Sequence, residues 1–119
     1  MTVVDASTLD ALLNLNGKLA ETSLEAIIDQ AIDSLNIYGA ELPNMSGTAG
    51  SKTVNLTSKQ RGAVLMVARA IYYGFYVGLE STTLAGLTIT TPDLLSNSTV
   101  LSAIKEAATL MREMEVAYG

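Results

Sequence analysis

Glu25, Asp29 and Asp33 follow one another at four-residue intervals in TSLEAIIDQAIDSLNIYG, the closest approach this chain makes to a reactive cluster. Carboxylates at that spacing stand on one side of a helix. A pair such as Asp29 and Asp33 could hold Mg²⁺, and carboxylates can act as general acids or bases. The rest of the apparatus is not in the sequence. With no histidine and no cysteine, the usual general base, the thiolate nucleophile and the commonest metal ligands are missing. Ser51-Lys52 and Ser58-Lys59 are chain neighbours, which do not face each other on a helix. Neither GTAG (47–50) nor GLESTTLAG (78–86) has the glycine–lysine arrangement of a phosphate-binding loop. The sequence therefore predicts no enzyme, no catalytic residue, no metal site and no cofactor. Its acidic helix reads as a solvated face, with a cationic partner as the alternative.

The elements that would position these residues are mostly helices. At 119 residues, 49% of them hydrophobic, the chain predicts one folded domain, 1–119, around one core. Its net charge of −5 disfavours tight nucleic-acid binding, because an acidic surface repels phosphates. The beginning, MTVVDASTLDALL, does not have the pattern of a secretory signal. Ser7 is the expected cap of a first short helix carrying Leu9, Leu12 and Leu13, ending near Asn16-Gly17. Thr22 and Glu25 form a capping-box pattern for a second helix. Its apolar positions run Leu24, Ile27, Ile28, Ala31, Ile32, Leu35 and Tyr38, and Gly39 occupies the expected C-terminal stop. Residues 40–56 read as a long loop or loose hairpin, with a short strand within Lys52–Leu56.

Thr57 and Gln60 form a second capping-box pattern and open an apolar central helix from Ser58 to about Val77. Ala70, Gly74 and Gly78 make a small-residue stripe for close helix approach. Residues 79–91 read as a turn-rich loop with brief alternation at Leu87 and Ile89. Thr91-Pro92-Asp93 starts a short turn of helix. Asn97 or Ser98 then caps a last helix, 97–119, whose buried side carries Val100, Leu101, Ile104, Ala108, Met111 and Tyr118.

A helix apolar on nearly every side belongs inside protein or lipid. Gly62–Leu79 is just long enough for a membrane span. Arg69 near its middle weighs against lipid, and three amphipathic neighbours predict a central helix packed on all sides. Arg69 is expected either to pair with Asp29 or Asp33 at the core edge or to bridge to another subunit. Tyr72, Tyr73, Phe75 and Tyr76 have two equally weighted readings, core packing and a subunit contact.

The order of these signals carries a resemblance. A short first helix precedes SLEAIIDQAIDSLNIYGAEL, then a polar loop and a polar cap lead into AVLMVARAIYYGFY. Leu24–Gly39 and Gly62–Tyr73 resemble the head–tail connector (adaptor, or head-completion) proteins of tailed bacteriophages, with weaker correspondence at Leu9–Leu13. The chain departs from that pattern where Gly74–Gly78 extends the apolar run and where the 40–56 loop is long. The resemblance implies a structural virion protein at the neck, assembled in the host cytoplasm. It would form a ring, expected to be dodecameric, that docks on the portal protein, extends the DNA channel and presents a platform to a tail or stopper protein.

Twelve such chains would carry a charge of about −60, letting double-stranded DNA slide through without specific binding. The resemblance further implies a terminal helix docked on the portal, with Val100–Tyr118 as the candidate. The expected subunit or partner contacts are Arg69, Tyr72, Tyr73, Phe75, Tyr76, Ile104, Met111, Arg112 and Tyr118. Glu25, Asp29 and Asp33 would face the channel lumen or a neighbouring subunit. Two other classes remain open: a generic helical protein–protein interaction domain and a small single-span membrane protein.

Overall fold

The computed structural model describes residues 2–76 and 91–118, and the side chains of 2–76 and 93–111. The order is β1 (Thr2–Asp5), α1 (Ala6–Leu13), α2 (Glu21–Ile37), β2 (Thr53–Leu56), α3 (Ser58–Ile71), a π-helical turn (Tyr72–Tyr76), α4 (Thr91–Ser96) and α5 (Ser98–Tyr118). The protein is a mainly α-helical bundle with one small sheet. The expected features at Gly78, Leu87 and Ile89 lie outside the described residues.

Helix starts follow local chemistry. Asp5 caps α1: its carboxylate accepts from Thr8 N–H, while Thr8 Oγ1 accepts from Asp5 N–H. Ser7, the expected cap, instead donates its hydroxyl to Asp5. The Thr57–Gln60 capping box of α3 forms as predicted. The Thr22–Glu25 box does not. α2 begins at Glu21 behind Ala20, without a side-chain cap, because the Glu25 carboxylate is turned toward a distant loop. Asn97 caps α5, accepting from the N–H groups of Thr99 and Val100. Gly39, at φ +99°, follows the end of α2 as expected.

The sheet pairs β1 antiparallel to β2, with Val4 opposite Val54. Val4, Val54 and Leu56 face the core while Val3 and Asn55 face outward, the alternation of a half-buried ribbon. α3 lies at the centre, touching α1, α2, α5 and both strands. Val64, Val67, Ala68 and Ile71 of α3 are fully buried against Ile27, Ile28, Ile32 and Leu35 of α2 and Val100, Ile104 and Ala107 of α5.

The enclosure of α3 differs from the expectation. Met66 and Ala70 are only partly buried, and Arg69 and Tyr73 are exposed, so one side of this helix is open. Regular α geometry also stops at Ile71, short of the expected Val77. The π turn that follows has an extra residue per turn and re-aims the rings of YYGFY. No described helix is long and apolar enough to cross a membrane.

Candidate functional site

Two features of α2 and α3 organise the molecule's surface. The first is the polar flank of α2, which holds the loop 38–52 that leads into β2. Glu25 is 3% exposed, and its two carboxylate oxygens accept from Gly50 N–H and Lys52 N–H, each at 2.9 Å. One turn on, Asp29 accepts from Met45 N–H at 3.0 Å. Asn44 donates its side-chain amide to Asp33 at 2.8 Å. Farther along, Asn36 exchanges two hydrogen bonds with the Leu42 backbone at 2.9 and 3.0 Å. The loop closes on itself where Ser46 and Thr53 bridge, and it inserts Leu42 and Met45 into the core.

This arrangement corrects the expectation of an acidic lumen or interface face at Glu25 and Asp29, and leaves Asp33 at the surface. Glu25 is inside the protein, and its charge satisfies backbone donors that burial would otherwise leave unpaired. Asp29 is half-buried on the same duty; only Asp33 stands exposed. Among the described residues, no group of three candidate ligands is placed to hold a metal ion.

The second feature is the open side of α3. A groove of about 660 Å³ runs between α3 and α5, with Leu12 of α1 at its edge. Met66, Ala70, Tyr73 and Ala103 form much of its apolar lining, and Arg69 and Glu106 supply opposite charges. Leu12 and Tyr73 are 48% and 50% exposed, which is unusual for large apolar side chains on one contiguous surface. The Arg69 guanidinium lies 5.6 Å from the centre of the Tyr73 ring, a cation–π contact at the groove wall. Tyr72 meets Tyr73 edge-on at 5.1 Å.

Arg69 therefore does not take the expected place beside Asp29 or Asp33. Asp29 is held by the Met45 N–H, and among the described residues Asp33 accepts only the Asn44 side-chain amide, while Arg69 lines the groove on the α5 side of α3.

The remaining expected contact residues divide. Tyr76 is 3% exposed and donates its hydroxyl to Gln30 Oε1 at 3.3 Å; burial pushes its phenol above the ordinary value. Ile104 is fully buried. Both are core residues, not surface contacts, because the bundle closes over them. Tyr72, Phe75 and Met111 are partly buried against the core. The side chains of Arg112 and Tyr118 lie outside the described set.

One further correction concerns the last helix. Val100, Ile104, Ala107 and Ala108 are core, so the first half of Val100–Tyr118 cannot detach as a docking arm. The small-residue stripe, in contrast, has a visible partner. A Cβ on Gly74 would meet Asn97 Nδ2 and Val100 Cγ2 at 3.2 Å each, so the absence of a side chain lets the start of α5 close onto the π turn.

The β1 strand, the Asn36–Leu42 pair and the groove are not among the sequence expectations. The β-branched pair Val3-Val4 is the one local signal for the first. The other two depend on segments brought together only by folding. Comparisons with protein-family models, curated proteins and solved structures find no match.

Proposed function

We propose that this chain is a structural subunit of a ring-shaped head–tail connector of a tailed bacteriophage. In this reading the ring docks on a portal, continues the DNA channel and offers a platform to the tail or stopper. The observation that carries the proposal is the groove along α3. A bundle that buries Val64, Val67, Ala68 and Ile71 completely leaves the opposite side of the same helix apolar and open, with an arginine and a tyrosine, residue types enriched at subunit contacts.

The resemblance of Leu24–Gly39 and Gly62–Tyr73 to connector proteins adds the assembly's identity. The helical fold is compatible with it. α5 also supports the reading in a narrower form. It continues as helix to Tyr118, about 10 Å past Met111 at 1.5 Å per residue. In this reading the portal-docking segment is 112–119, beyond Ala108, the last buried position among the described side chains.

The test is electron microscopy of the protein incubated with portal rings. The proposal expects a collar of density added to the portal, absent for a chain ending at Met111 that retains its helical circular dichroism. Bare portal rings with the full chain would reject it.

A further inference from the structure

We infer that the α3–α5 groove receives the outer face of α2 from a second copy of this chain, so that copies join head to tail. The inference takes from the connector reading only that copies assemble; the contact itself is argued from two surfaces of one molecule.

A helix turns about 100° per residue, so its faces can be read from the numbers. On α3, Met66 and Arg69 project opposite to Val64, Ala68 and Ile71, and Tyr73 of the π turn lines the same groove. On α2, Ala26, Asp33 and Ile37 project opposite to Leu24, Ile28 and Leu35. The buried stripes of the two helices share one core, and the helices touch. Their outward stripes therefore point away from each other, on opposite sides of the bundle.

The two surfaces complement one another. On the α2 side Ile37 is 58% exposed, the most exposed large apolar side chain among the described residues. Asp33, one turn before it, is exposed although its Oδ1 accepts the Asn44 amide at 2.8 Å. On the other side the groove is concave and apolar, and Arg69 stands at its wall with no carboxylate partner among the described residues. Ile37 supplies a knob for the groove, and Asp33 supplies an anion for Arg69.

Charge also fixes the direction of docking. Arg69 is on α3 and Glu106 on α5, so the incoming Asp33 is attracted to one wall and repelled by the other. Because different surfaces meet, the contact is heterologous. Such contacts close into a ring when the rotation between copies allows it, and otherwise continue as a filament. Faces on opposite sides of a subunit suit a ring of many members, where the rotation per subunit is small.

The sequence contains no cysteine, which permits a direct test. Ile37→Cys and Ala103→Cys are made as separate proteins, mixed at high concentration with and without portal rings, and treated with a short bismaleimide. The expected product is a mixed dimer of the two variants, with little product from either alone. Arg69→Glu or Asp33→Lys should each reduce the mixed product at least tenfold, and combining Arg69→Glu on one partner with Asp33→Lys on the other should restore it. Circular dichroism on every variant checks folding.

Groove-to-groove products from Ala103→Cys alone, or no mixed product under either condition, would overturn the inference. The connector reading is judged separately by particle shape. Rings whose Ile37 and Ala103 positions do not cross-link would refute this contact and leave the ring. Cross-linked copies forming open filaments would keep the contact and refute the ring.

Discussion

The Glu25 carboxylate accepts the Gly50 N–H at 2.9 Å across 25 positions of sequence, and its second oxygen takes the Lys52 N–H at the same distance. A charged residue on an amphipathic helix thus acts as an internal anchor for the loop 38–52 between α2 and β2. Asp29 and Asn36 extend the same anchorage along α2.

Replacing Glu25 by Ala would leave two backbone donors without their acceptor. Hydrogen bonds to a charged group contribute about 1.5–3 kcal/mol, so a loss of about 3 kcal/mol is expected in urea unfolding. Glu25→Gln retains one acceptor oxygen and should lose about half as much. Hydrogen exchange should accelerate at Gly50 and Lys52 first. Unchanged exchange there would show that the loop is held by other contacts.

Two glycines of the central segment should respond in opposite directions to alanine. Nothing lies within 4 Å of a Cβ built on Gly62, so Gly62→Ala should stabilise the helix by about 0.5–1 kcal/mol. Gly74→Ala places its methyl 3.2 Å from Asn97 Nδ2 and Val100 Cγ2. It crowds the Asn97 side chain that caps α5, which must give by a few tenths of an ångström, and a net loss of about 1 kcal/mol is expected. Thermal melts of the two variants measure both signs.

Asp5 predicts an acid-sensitive start to the bundle. Hydrogen bonds from the Ser7 hydroxyl and Thr8 hold its carboxyl below the ordinary 3.8, against some desolvation. A depressed folded value contributes stability above the unfolded value, and that contribution is lost as pH falls from 3.8 through the folded value. Asp5→Ala should cost about 1 kcal/mol at neutral pH and remove this part of the acid dependence. A variant whose stability declines with acid in parallel with the parent would contradict the assignment.

Tyr76 should act at the other end of the scale. Burial raises its phenol above 10.0, so its contribution is complete below that value and is lost as pH rises through the raised one. Tyr76→Phe gives up the hydroxyl bond to Gln30, worth about 1 kcal/mol or less, and should flatten the alkaline limb of the stability curve. Equal alkaline slopes for Tyr76→Phe and the parent would exclude this role.

The parts of the fold legible in the sequence are those specified locally. The apolar spacing of α2, the Thr57–Gln60 box, the Asn97 cap and the turn at Gly39 each depend on residues within a few positions. Glu25 was misread because four-residue spacing places a carboxylate on a helix flank and says nothing of what covers that flank. Its partners are 25 and 27 positions away. Ile104 and Tyr76 show the same limit. An amphipathic pattern marks an apolar face, whereas core and contact surface are distinguished only by which neighbour arrives. Arg69 stands out in the sequence as the one charge inside the apolar segment. Its exposed setting depends on an opening that α1, α3 and α5 make together.

The connector account is tested most directly by the native mass of this protein mixed with its cognate portal ring. The account predicts a discrete complex containing one closed ring of this chain per portal, with loss of the complex when the chain stops at Met111. A portal that retains its own mass beside free, folded chain at every concentration would contradict it.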